Sequence, residues 1–154
     1  MKKSAGILLF RKTASEYEFF LVHPGGPFWK NKDEGAWSIP KGEFTDEENP
    51  LTAAKREFKE ETGFSCSGKF IELGPARLKS GKTVLAWALE KNIDPAKIKS
   101  NLFEMEWPPK SGRQQSFPEV DRAGWFIASV ARKKINTAQM AFIDELLLKL
   151  TSGG

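Results

Sequence analysis

Cysteine and histidine are almost missing from this chain of 154 residues, which has one of each, Cys66 and His23. A single cysteine excludes a disulfide framework and any cysteine-based zinc site. A single histidine argues against a His-rich metal centre, and a Ser-His-Asp triad would have to run through His23. The simpler reading of His23 is a loop or strand-end residue, near substrate at most. No apolar run approaches the roughly 20 residues of a membrane span, and Met1-Lys2-Lys3 introduces no signal-type apolar region. The expectation is a cytoplasmic protein with no membrane partner. No repeat, linker or low-complexity tract divides the chain, so 1–154 reads as one domain, 40% hydrophobic and too short for two cores. A net charge of +4 suits an anionic substrate as well as it suits nucleic acid.

What the chain does have is acid concentrated on one short helix. Asn49 suits an N-cap, Pro50 the first helical position and Gly63 a left-handed C-terminal cap, which bounds a helix over 51–62. At about 100° per residue, Leu51, Ala54 and Phe58 form an apolar stripe that faces a core. Glu57, Glu60 and Glu61, at i, i+3 and i+4, share a flanking face, with Ala53 leaving room between them. Lys55 and Lys59 project elsewhere. Like charges so spaced oppose the helix by roughly 0.2–0.5 kcal/mol per pair, so a cation is called for. Oxygen ligands without thiol or imidazole suit Mg²⁺ or Mn²⁺ better than Zn²⁺. The plainer alternative is a solvated acidic face.

Around this helix the pattern predicts mostly strands. Residues 4–11 and 19–22 read as a hairpin joined by a polar turn. Residues 23–35 form a Pro/Gly loop carrying Phe28 and Trp29, which can stack on a base or cover the core. Lys30 and Lys32 can meet phosphate or water. Residues 36–40 read as a short strand entering a turn shaped by Pro40 and Gly42, with Lys41 beside it as a phosphate contact or a solvated lysine. Strands follow at 69–74 and 83–90, with Trp87 in the core, then a helical turn after Asp94-Pro95 and an edge strand at 103–107. Residues 108–118 read as a long loop, whose Lys110 and Arg113 would grip phosphate or remain exposed. Residues 119–126 enter another strand, 128–131 start a short helix, and 137–150 form a helix capped by Asn136, with a core stripe of Met140, Ile143, Leu147 and Leu150.

Read as Gly42-x5-Glu48-x7-Arg56-Glu57-Phe58-x-Glu60-Glu61-x-Gly63-Phe64, the acidic segment resembles the Nudix box at each defined position. The preceding Trp37-x-x-Pro40-x-Gly42 and the Glu119-x5-Trp125 spacing are similar to features found in the same family. The resemblance covers about the first two-thirds of the chain plus 119–126. It implies an α/β fold, a Nudix-type α/β/α sandwich with a curved mixed sheet between helices, which strands interrupted by one early helix and finished by a late one also suggest. It further implies hydrolysis, with Mg²⁺ or Mn²⁺, of a pyrophosphate bond in a nucleoside diphosphate linked to another group. Glu57, Glu61 and the Gly42 carbonyl would then hold metal. Glu60 would bind metal or act on the attacking water, Glu48 would be an outer ligand or a support from the loop, Arg56 would orient the glutamates, and Glu119 would be a ligand or general base, its alternative being a surface carboxylate. Pro40-Lys41-Gly42 leans toward polyphosphorylated substrates such as dinucleoside polyphosphates, with nucleoside triphosphates and nucleoside diphosphate sugars in the same class. An RNA 5′ end is a second reading, and a non-catalytic nucleotide-sensing regulator a third. Such a regulator would be expected to lack box glutamates, and this chain has them all.

Overall fold

A computed structural model describes residues 2–152. Its centre is β1 (Lys3–Lys12), whose residues from Ser4 to Phe10 are all buried. A strand buried on both faces needs a layer on each side, and its neighbours and the helices supply them. β1 runs parallel to β5 (Thr83–Glu90) on one edge, and β5 pairs in turn with β4 (Ile71–Arg77). On the other edge β1 pairs antiparallel with β2 (Tyr17–Pro24) through Phe10, Arg11 and Lys12, as the hairpin reading requires, and β2 pairs with β8 (Val120–Ile127).

Away from the hairpin turn β1 and β2 separate, and the chain from Ala36 to Phe44 fills the gap. The expected strand at 36–40 is not formed there. Among the described residues this segment makes two isolated bridges, Val22 with Ser38 and Trp37 with Ile135, and Pro40, which has no N–H, cannot extend a ladder. The strand is instead β3 (Lys41–Phe44), paired antiparallel with β1, so Gly42 lies opposite Ala5 in a ladder rather than in a turn. The expected loop at 108–118 is also corrected. Gln114–Pro118 forms β7, paired with β6 (Leu102–Glu106) as a separate two-stranded ribbon. Its alternation escapes detection because β7 has three exposed residues followed by two half-buried ones, so no buried face marks it.

Alternation along β1 sorts the core into two halves. Ala5, Ile7 and Leu9, with Phe20 and Val22, pack against Ala53, Ala54 and Phe58 of α1 (Pro50–Thr62). Leu8 and Phe10, with Phe19 and Leu21, pack against Ala131 of α2 (Ala128–Lys134) and Phe142, Ile143 and Leu146 of α3 (Met140–Ser152). The layers are therefore helix, mixed sheet and helix, as expected. Two details differ. Ala53 lies inside the core rather than leaving room among the glutamates, and α3 is rotated, so that Phe142 and Leu146 are buried while Met140, Leu147 and Leu150 are only partly covered. A short helical turn at Thr137–Gln139, capped by the Asn136 side chain, precedes α3 and resets its phase.

Candidate active site

Both ends of α1 are fixed by the residues that predicted them. The Asn49 side chain accepts the Thr52 N–H at 3.1 Å. Gly63 adopts a left-handed φ of 83°, and its N–H reaches the Lys59 carbonyl at 2.7 Å. Held this way, α1 lays its acidic face over β3. A Cβ on Gly42 would fall inside the Glu57 carboxylate, so the site requires a residue without one. One turn further along, the Glu61 carboxylate accepts the Lys41 backbone N–H at 3.2 Å.

The charge that offsets these acids in the structure is Arg56. Its Nε and Nη2 grip both oxygens of Glu48 at 2.8 and 3.0 Å, while Nη1 donates to Glu57 at 2.8 Å and Glu60 at 3.1 Å. The two-pronged bond to Glu48 uses the planar guanidinium in a way lysine cannot. These bonds hold the guanidinium charged and draw half-buried Glu48 below the usual carboxylate range. Glu57 shifts the other way, raised chiefly by burial and, despite Arg56, by Glu60. Glu61 is pushed up to about 8 by burial, with like charges on Glu119 and Glu57 adding to the effect against the pull of Lys41. Burial raises Glu119 as well, with Glu60 repelling it. Lys41 is lowered by burial, and Glu61 counteracts that shift. Glu57 is buried and Lys41 half-buried, so this acidic face is not fully solvated, and the mutual perturbations link Glu57, Glu60, Glu61, Glu119 and Lys41.

Whether this neighbourhood fits a metal is a question of donors. Four carboxylates and a backbone carbonyl, with no thiol or imidazole, match a hard divalent cation. Among the described residues no three acidic, histidine or cysteine side chains are already grouped as a cage. The Arg56 guanidinium stands between two of the carboxylates, with Nη1 bonded to both Glu57 and Glu60.

The other candidates lie elsewhere. Trp29 packs against the core on the α3 side, whereas Phe28 is 62% exposed with the Lys32 ammonium 3.7 Å from its ring centre. Lys110 and Arg113 sit in the exposed turn of the β6–β7 ribbon, where Glu106 accepts the backbone N–H groups of Lys110 and Gly112. His23 is a strand-end residue, the last but one of β2, rather than part of the loop that follows. It is fully buried in β2, with Nδ1 2.8 Å from Asp121 and Nε2 2.6 Å from the Lys32 carbonyl. A carbonyl can only accept, so Nε2–H donates there and cannot serve a serine; the triad reading is excluded. Sequence reasoning missed Asp121 and the segment 99–101, which bonds to both α1 and Glu119. No local pattern marks either, because their partners lie 98 and about 20–40 residues away.

Comparison with known proteins agrees with this architecture. The NUDIX domain family matches residues 2–146. An Ap4A hydrolase from C. elegans, solved as a binary complex, is 22% identical with a TM-score of 0.67, and the match covers 100% of each chain. The NUDIX domain of Shewanella oneidensis NrtR, solved with ADP ribose, is 16% identical with a TM-score of 0.66, over 96% of this chain and 87% of that one. A mutT/nudix family protein from Listeria innocua is 15% identical with a TM-score of 0.64, over 99% and 95%. No curated protein sequence matches the chain. No described helix is long and apolar enough to cross a membrane. With the family matched across nearly the whole length and the helix–sheet–helix layers built around its acidic segment, the chain belongs to the NUDIX domain family of pyrophosphohydrolases.

Proposed function

We propose that this chain hydrolyses the pyrophosphate bond of a nucleoside diphosphate linked to a second group, with dinucleoside polyphosphates and ADP-sugar-type compounds as the substrate class and Mg²⁺ as the ion, Mn²⁺ substituting. The observation that carries the reading is the close approach of α1 to β3, where the missing Cβ of Gly42 leaves room for the Glu57 carboxylate and the Lys41 N–H beside it holds the Glu61 carboxylate. The substrate class draws on Pro40-Lys41-Gly42 and on two proteins of like fold, one an Ap4A hydrolase and the other bound to ADP ribose.

Glu57, Glu60, Glu61 and the Gly42 carbonyl would hold the ion, with Glu48 as outer support. Once bound, a divalent cation neutralises phosphate oxygens and lowers the pKa of a coordinated water. Arg56 orients Glu57 and Glu60 through the bonds described above. Glu119 or Glu60 takes a proton from the attacking water as the water oxygen bonds to phosphorus and the bridging P–O bond breaks, leaving two phosphorylated products. Lys41 would offset charge on the substrate phosphates.

The test is product release from a panel containing diadenosine tetraphosphate, ADP-ribose, nucleoside triphosphates and 5′-triphosphorylated RNA, with Mg²⁺ or Mn²⁺. Glu60→Gln and Glu61→Gln should each lose at least about 10²-fold in kcat with unchanged folding by circular dichroism. Full turnover in either variant at saturating substrate and Mg²⁺ would refute the assigned roles.

A further inference from the structure

The acids of α1 and Glu119 come from distant parts of the chain, and a three-residue segment ties them together. Lys99 N–H donates to the Thr62 carbonyl at 2.9 Å, and Asn101 N–H to the Glu60 carbonyl at 2.7 Å. Two carbonyls left open at the end of α1 are thereby satisfied. The same segment then turns toward Glu119. Asn101 O accepts the Glu119 N–H at 2.9 Å, and Ser100 Oγ accepts the Val120 N–H at 3.2 Å. The Ser100 hydroxyl proton has two acceptors in reach, Asn101 O at 2.9 Å and Val120 O at 3.2 Å. On the far side Gly25 N–H donates to Glu119 O at 2.9 Å. Both amides that flank the Glu119 Cα are therefore held by residues 100 and 101, and Ser100 is the only one of the two that does so with a side chain.

Glu119 needs such a hold. It sits where β7 passes into β8, beside the irregular register between His23 and Pro24, and the ladder alone does not fix it. A bulged junction of this kind re-aims a side chain.

We infer that Ser100 is a positioning residue for the hydrolysis, its hydroxyl fixing the backbone at Glu119 to the end of α1 so that the Glu119 carboxylate stands at a set distance from Glu60. This rests on the proposed role of Glu119, and the experiment separates the two. Small displacements of a reacting group lower rates steeply. With diadenosine tetraphosphate or ADP-ribose and Mg²⁺, Ser100→Ala should lower kcat about tenfold with KM nearly unchanged. Ser100→Thr, which keeps the hydroxyl, should restore most of the rate. Glu119→Gln should lose at least about 10²-fold, and adding Ser100→Ala to it should lose nothing more. Equal losses from Ser100→Ala with and without Glu119→Gln would overturn the inference, because a merely structural residue acts regardless of Glu119. A harmless Glu119→Gln would instead refute the role of Glu119. Hydrogen exchange on the unaltered protein provides a measurement that needs neither activity nor a folded variant. The Val120 and Glu119 amides should be protected about as well as those of β8, and rapid exchange at Val120 would also overturn it.

Discussion

Gly42 shows how much one missing atom decides. Any side chain there would intrude on the Glu57 carboxylate, so Gly42→Ala must either displace Glu57 or push β3 away from α1. Because Glu57 also shares Arg56 with Glu60, moving it disturbs the whole cluster. Gly42→Ala should lower kcat by at least about 10²-fold while the melting temperature changes far less than turnover, measured on the same preparation. Wild-type turnover with the added methyl would show that the close approach has no catalytic meaning. Cys66 offers a second residue-scale test. It packs with Ala54-side core residues under α1, and burial pushes its thiol up to about 11. Between the unfolded value near 9 and that folded value, the unfolded chain releases a proton that the folded chain keeps. Stability is thus lost as pH rises through that window and is unaffected below it. At pH 8 the folded protein should react with a disulfide-exchange reagent far more slowly than the denatured chain. Equal rates would mean the thiol is open to solvent.

At the scale of elements, α1 depends on its two ends. Asn49→Ala removes the bond to Thr52 N–H and should cost about 1 kcal/mol, or roughly 2–4 °C in melting temperature for a chain this size. Gly63→Ala adds a methyl 3.0 Å from the Lys99 carbonyl at a left-handed φ of 83°, so it should destabilise by at least about 1 kcal/mol. It should also press on the segment that reaches Glu119. Thermal melts of both variants check this, and a neutral Gly63→Ala would contradict the capping geometry. These caps were legible in the sequence because capping is local chemistry within three or four residues. The α1 face, the β1–β2 hairpin, β4, β5 and the final helix were legible for the same reason. The rest depended on distant partners. Residues 36–40 carry strand-like side chains, but the opening between β1 and β2 admits 41–44 to the ladder instead. β7 exists only because β6 pairs with it, and the buried bond between His23 and Asp121 joins residues 98 apart. In the site, the spacing of Glu57, Glu60 and Glu61 was visible on a helical projection. The bonds of Arg56 to Glu57 and Glu60 are local to α1 as well, whereas the covering of Lys41 and the tie through Ser100 required the fold to bring separate segments together.

For the whole molecule, the acidic face of α1 is a charge problem that the fold solves only in part. Arg56 contributes one positive charge among Glu48, Glu57 and Glu60, while partly buried Glu61 and Glu119 remain repelled by their neighbours. The unfolded chain spreads these acids apart and has no site to offer. A divalent cation would therefore bind the folded state alone and stabilise it by mass action, by about 2.7 kcal/mol at a hundredfold excess over Kd. That corresponds to a rise of roughly 5–10 °C in melting temperature for a chain this size. Mg²⁺ or Mn²⁺ should produce the rise, EDTA should reverse it, and monovalent salt at matched ionic strength should not reproduce it. Glu57→Gln should melt near the metal-free wild type and respond little to added ion, because it removes both part of the repulsion and one donor. If calorimetry finds the wild-type melting temperature indifferent to millimolar Mg²⁺ and Mn²⁺, the acids along α1 are balanced within the protein itself, and the metal-dependent reading of this site fails.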